Sequence, residues 1–405
     1  MADLALTAAR RWAGIPLAAR IAVVYLIARV ITTGFLLAAA SLSTSLSRFG
    51  AGAGLVDFVV GWDAQWYWLI AEQGYPTELP LGPSGEVREN PWAFMPVFAY
   101  AAKALGVVFG SWGMGALLLS VVAGYLACLA LHRLLRDRIG GSAAMWAVVF
   151  FATGPLAALF QVGYAETLFL LLLFLALDAV ARRRYARLYL LIPVMAFTRP
   201  GILAFALFLG LHGIARWRGR RTEPLRRSEV VHILALGALA TVAGFSWQVI
   251  AGIATGEAGA YLATELAWRR PWIGGGAGGF VPFEGWIQAS GFWFTQWGMP
   301  SAWGPVALVL LVALAALALL ALPAVKALGA DLRLWTASYL VYLLAVFFPQ
   351  SSTFRLLLPV SPLWGAAAVP RSRTWRLVVL AGCLALQWVW IHAMYTLGNT
   401  YWQVP

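Results

Sequence analysis

The stretch GWDAQWYWLIAEQGYP (61–76) sets two carboxylates, Asp63 and Glu72, among tryptophans and tyrosines. A carboxylate held beside a cleft can take the proton of an attacking hydroxyl, which is general-base chemistry. Asp63 also stands where a helix cap would, ahead of the helix-compatible run AQWYWLIAEQ, and a cap position aims its carboxylate out of the helix. The tryptophans by themselves read as an interfacial aromatic belt. Two arginines could supply a complementary cationic half: Arg199 in AFTRPGIL (196–203) and Arg355 in PQSSTFRLLLPVSPLW (349–364). A guanidinium keeps its charge when buried, its planar fork fits a phosphate, and an arginine at membrane depth is costly enough to suggest function. Each could equally pair with a carbonyl or a carboxylate for structure.

The elements that must position these groups are hydrophobic. Of 405 residues, 62% are hydrophobic and 11% charged, against about 25% charged in soluble domains. Apolar runs long enough to cross a bilayer recur along the chain. The fold class expected is an all-α polytopic integral membrane protein, a single membrane domain over 1–405. The net charge of +13 is gathered in short clusters, HRLLRDR (132–138), RRRYAR (182–187), RWRGRR (216–221) and RSRTWR (371–376). That is the positive-inside pattern, and it points to an anionic inner leaflet as partner rather than nucleic acid. Cys128 and Cys383 each lie inside an apolar run, where they read as small core residues, not as a disulfide or CxxC motif. MADLALTAARRWAG has no cleavage pattern, so the first span is expected to be retained.

Placing the basic clusters inside predicts spans at about 20–43, 114–133, 142–161, 165–181, 229–252, 303–325, 333–349, 355–369 and 374–397. Two extracytoplasmic loops follow, 44–113 and 253–302. Within the first, 92–110 is apolar enough to span, but crossing would put HRLLRDR outside; it is read as an interfacial helix with Lys103 snorkelling. The segment 186–215 has a basic cluster at each end and Arg199-Pro200-Gly201 in the middle. Proline breaks a helix and disfavours one just before it. Two half-helices meeting at that turn would keep both ends inside and leave Arg199 deep in the membrane.

On this topology Asp57, Asp63, Glu72, Glu78, Glu86, Glu89, Glu166, Glu257, Glu265 and Glu284 all face outward, so carboxylate chemistry is expected there. No P-loop or GxGxxG nucleotide cradle is present. In YLATELAWRRPWIGGGAGGF (261–280), Glu265, Arg269 and Arg270 could grip a polar headgroup, or the segment could be an amphipathic interfacial helix before a flexible loop. Arg29 in the first span reads as structural, and His392 as a packed span residue. No metal and no cofactor are expected.

Four stretches carry a resemblance. WDAQWYWLIAEQGY supplies Trp62, Asp63, Tyr67, Ile70, Ala71, Glu72, Gly74 and Tyr75 of a W-D-x-x-x-[FY]-x-x-I-A-E-x-G-Y pattern. NPWAFMPVFAY (90–100) is similar to an N-x-x-F-F-P segment, with Met95 replacing an aromatic. GYAETLF contributes Tyr164 and Glu166 of Y-[ST]-E-x-[LF]-F, with Ala165 at the small-hydroxyl position, and AFTRPGIL resembles a T-R-x-[NT]-G turn. Together they resemble the PIG-V family of polyprenyl-phosphate-mannose-dependent mannosyltransferases, which have the GT-C membrane fold. The likeness is specific over the first half and a matter of layout over the second.

The resemblance implies an inverting transfer of mannose from polyprenyl-phosphate-mannose to an extracytoplasmic glycolipid or lipid-linked glycan, giving an α-mannoside. It implies Asp63 as the catalytic base. Inversion by one in-line displacement needs one base, whereas retention through a glycosyl-enzyme needs two facing carboxylates. A lipid phosphate leaving group calls for cations, and Arg199 and Arg355 are the expected clamp. Trp62, Trp66, Glu72, Tyr75, Tyr164, Glu166, Glu265, Arg269 and Arg270 are the expected acceptor contacts. Alternatives are a GT-C transferase using polyprenyl-linked arabinofuranose or glucose and, from another class, a lipid flippase or transporter, for which broken helices and a midplane arginine are equally expected. With 2 lysines against 27 arginines, the composition suggests a GC-rich bacterial genome and a plasma-membrane location.

Overall fold

The computed structural model describes residues 14–273 and 279–398. The chain is an all-α membrane bundle. Among the described residues five helices are long and apolar enough to cross a membrane: Leu17–Leu42, Trp112–Ile139, Arg227–Thr255, Trp303–Ala321 and Arg373–Leu397. Their ends follow local chemistry. Pro16 precedes the first helix, Ser111 accepts from Met114 N at 3.2 Å to cap the second, and Ser372 caps the last through Trp375 N at 3.2 Å. Arg136 and Arg138 close the Trp112–Ile139 helix, where cations complement the terminal carbonyls. That helix and its neighbours form the core, while Trp303–Ala321 is 6% buried and presents its leucines and valines outward, as suits a lipid-facing helix.

Ion pairs and packing gather the four basic clusters at one end. Arg182 pairs with Asp178 at 2.6 Å and Asp137 at 2.7 Å, and Arg216 with Glu229 at 2.7 Å. His212 meets Asp331 at 2.8 Å, and Arg376 lies 5.5 Å over Trp146, one turn into the helix after the first cluster. Short helices form the other end: Leu55–Val59, Asp63–Gln73, Pro96–Phe109, Ala260–Ile273 and Glu284–Gln296.

Several expected spans are interrupted, most of them at a proline. The helix from Gly141 stops at Thr153, not 161, because Gly154-Pro155 follows. Arg29 takes up carbonyls freed there, donating to Ala152 O at 2.6 Å and Ala157 O at 2.5 Å between the rings of Tyr25 and Phe160. The expected span 355–369 is three pieces, Thr353–Leu356, the 3-10 run Leu358–Leu363 and Trp364–Ala368, since Pro359 and Pro362 deny it a continuous α ladder. The 303–325 span ends at Ala321, before Pro323, and the last helix turns to π geometry over His392–Leu397. The 92–110 segment becomes a 3-10 turn, Pro91–Ala93, and the helix Pro96–Phe109, with Lys103 donating to Ala71 O.

The 186–215 segment breaks after Ala196 and resumes at Ile202, with Gly201 at φ 132°, a conformation L side chains rarely adopt. Tyr185 Oη and His212 Nε2 share a 2.9 Å hydrogen bond, so both halves return to the basic end. The turn itself reaches the opposite end, where Phe197 O accepts from Val97 N at 2.9 Å.

Candidate active site

Asp63 is the first residue of the Asp63–Gln73 helix rather than its cap; Trp62 occupies the cap position. Trp62 has φ 54° and ψ −127°, a strained conformation for a tryptophan that costs about 1–3 kcal/mol. Its surroundings hold it there: Nε1 donates to Met394 O at 3.0 Å, and the Arg48 guanidinium lies 4.8 Å over the ring. The bend turns the Asp63 side chain inward, where Oδ2 accepts from Arg355 Nη1. The helix-cap reading of Asp63 is therefore corrected, since its carboxylate serves a guanidinium.

Arg355 Nη1 also lies 3.5 Å from Glu166 Oε1, and the same oxygen is 3.7 Å from Arg199 Nη2. Two carboxylates and two guanidiniums thus form one charge-balanced quartet, assembled from four segments. Glu166 opens the Glu166–Ala181 helix, Arg199 sits in the 197–201 break, and Arg355 lies on the single turn Thr353–Leu356. Tyr339 steadies that turn by donating to Leu356 O at 2.7 Å. Gly163 lets the Asp63 and Glu166 turns meet: its N donates to Val59 O at 2.9 Å, and a Cβ there would lie 3.0 Å from that oxygen and 3.1 Å from Ala64 Cβ. Tyr164, fully buried, accepts from Asp63 N at 3.3 Å and places its ring 5.3 Å from the Arg355 guanidinium.

The quartet retains unused capacity. Arg199 Nη1 and Arg355 Nε are buried and have no hydrogen-bond partner among the described residues. Buried donors are normally satisfied, so these can serve an anion with several oxygens. Burial pushes the Asp63 carboxyl above its ordinary range, against the pull of Arg355. Freed of Arg355, it is a stronger base than a solvated aspartate.

A groove of about 460 Å³ is lined by Trp66, Arg88, Glu89, Ala267 and Arg270. Trp66 follows Asp63 by one helical turn, stacks on Phe94 at 5.9 Å and meets Trp268 edge-on at 5.6 Å. Arg270 is tethered to Val87 O at 2.9 Å. Burial raises the Glu89 carboxyl, Arg88 opposes, and the negative Asp63 adds to the rise, which puts the groove within electrostatic reach of the quartet. Nothing in the sequence distinguishes Arg88 from a solvated basic residue; only the fold sets it in one groove with Trp66.

The remaining expected contacts are dispersed. Glu166 lies among the arginines instead of in the groove. Glu72 is at the far end of its helix, paired with Lys103 at 3.8 Å, and does not join the quartet. Tyr75 donates to Phe94 O at 2.9 Å and packs on Trp92 and Trp247. Arg269 donates to Gln288 and lies 5.3 Å from the Phe348 ring, with its Nε unpartnered among the described residues. Glu265, next to Tyr261, is pushed by burial up to about 7. His392 packs its ring against Trp388 at 5.6 Å. Among the described residues no group of three or more histidine, cysteine, aspartate or glutamate side chains is arranged to hold a metal ion. No protein-family model matches the chain, and no curated protein is significantly similar to it in sequence.

Proposed function

We propose that this protein is an inverting glycosyltransferase that moves mannose from polyprenyl-phosphate-mannose to an extracytoplasmic lipid-linked glycan or glycolipid. The observation that carries this reading is the quartet: a half-buried aspartate in direct contact with one of two arginines that share a carboxylate and, among the described residues, hold unpartnered donors. Asp63 is the base for the acceptor hydroxyl, and Arg199 and Arg355 meet the charge that develops on the phosphate leaving group. Glu166 spaces the two guanidiniums. The groove beside Trp66 receives the acceptor, with the indole as a platform for a sugar ring and Arg88, Glu89 and Arg270 for its polar groups.

The quartet stands at the end of the bundle opposite every basic cluster. With those clusters in the cytoplasm, the reaction takes place on the outer face of what we read as a bacterial plasma membrane. In the same reading the chain crosses the membrane nine times, and the segments on either side of Arg199 form a re-entrant hairpin. Irregular backbone near the outer boundary of the membrane is tolerated where it lines a polar site. The four motifs that resemble the PIG-V mannosyltransferases favour mannose over arabinofuranose or glucose. Purified protein given radiolabelled polyprenyl-phosphate-mannose and a total lipid extract should form a labelled α-mannoside. Liposome flux of the labelled lipid without any transfer product would instead indicate a flippase.

A further inference from the structure

Resting on the transferase reading above, we propose that the Asp63–Arg355 ion pair locks the base at rest and that the donor's phosphate opens it. Oδ2 of Asp63 is occupied by Arg355 Nη1. A carboxylate held this way is a poor acceptor for a hydroxyl proton, because its charge is already met. Arg355, however, has a second partner 3.5 Å away in Glu166. It can leave Asp63 without becoming an unpaired buried charge, a state costly enough to forbid the movement otherwise.

The place it would move toward is prepared. Glu166 also faces Arg199, at 3.7 Å, and both arginines hold buried nitrogens without partners among the described residues, Nη1 of Arg199 and Nε of Arg355. A phosphodiester anion between the two guanidiniums would use these donors and compete with Asp63 for Arg355. At rest the quartet is balanced, two positive charges against two negative; the incoming anion tips it, and the displaced carboxylate becomes the free base. The acceptor oxygen then attacks the sugar C1 as the C1–O bond to phosphate breaks. The electron pair leaves with the phosphate, whose second negative charge the guanidiniums meet, and the hydroxyl proton passes to Asp63. Base and leaving-group clamp are thus made available by the same binding event, so the base is free only when the donor is present.

The test uses binding, where no turnover is needed. Polyprenyl phosphate, titrated into the full-length detergent-solubilised protein, should bind Asp63→Asn and Asp63→Ala about tenfold or more tighter than wild type. The alanine variant guards against an asparagine amide oxygen that still accepts from Arg355. The gain must vanish in an Arg355→Gln background, because a lock acts through that side chain, whereas general loss of negative charge would tighten binding with or without it. Equal affinity for wild type and both Asp63 variants, or a gain that survives Arg355→Gln, overturns the lock while leaving the clamp intact. If wild type does not bind polyprenyl phosphate, or Arg355→Gln binds it as wild type does, the clamp itself is wrong.

Discussion

Glu166→Gln tests whether the quartet is held by charge. The substitution keeps the shape of the side chain and removes a negative charge that two guanidiniums share, at 3.5 and 3.7 Å. At an effective dielectric constant of about 20, each contact is worth about 4–5 kcal/mol of gross attraction. Most of that offsets desolvation. Removing one partner of a buried pair nonetheless costs about 3–5 kcal/mol, because the remaining charge stays buried and unmet. Glu166 is 2% exposed, so water cannot take its place. The variant should therefore unfold several degrees below wild type in detergent, followed by tryptophan fluorescence. Its quartet also carries one net positive charge, so an added anion should stabilise it by mass action more than it stabilises wild type. Inorganic phosphate at rising concentration is the probe, with chloride at matched ionic strength as control. A variant with wild-type unfolding temperature and no phosphate-specific gain would refute the claim that these residues form one coupled electrostatic unit.

Three further outcomes follow from the same geometry. Gly163→Val should force the Asp63 and Glu166 turns apart, destabilise the protein by about 1–3 kcal/mol and lower transfer at least tenfold through misplacement; Gly210→Ala, where an added Cβ meets nothing within 4 Å, should do neither. The transfer rate should fall on acidification through a value above the ordinary carboxylate range, because burial raises Asp63 and the base works only when ionised; a rate flat down to ordinary carboxylate pH would argue against Asp63. Burial raises Glu265 from 4.5 to about 7, so the stability linked to its protonated form is fully present below 4.5 and is lost as pH rises through 7. Glu265→Gln should accordingly be more stable than wild type at alkaline pH, by up to about 3 kcal/mol, with the difference gone in acid; thermal melts across pH measure it.

What the sequence made legible is uneven, and the pattern has a physical cause. Hydropathy marks apolar runs because burial in lipid is a property of local composition, so the all-α membrane character was readable, as was the break at Arg199-Pro200-Gly201. The basic clusters were readable as a group for the same reason. Asp63, Arg199, Glu166 and Arg355 could each be picked out singly, as charged residues in apolar company. Their meeting could not, because Asp63 and Arg355 are 292 positions apart and nothing local encodes that contact. The same limit explains Glu166, expected to face an acceptor and found between two guanidiniums. It also explains Glu72, which shares a motif with Asp63 yet points to Lys103. Helix lengths were overread where hydropathy continues past a Gly-Pro or Pro-rich break, as at 154–155 and 359–362, since composition does not register a lost backbone donor.

The most direct test of the central claim is single-turnover transfer of mannose from radiolabelled polyprenyl-phosphate-mannose by purified wild type and Asp63→Asn. Wild type should form a labelled α-mannoside, and the variant should do so at a rate lower by about 10²–10⁴-fold, with donor binding at least as tight as in wild type. Transfer by Asp63→Asn at the wild-type rate would contradict it.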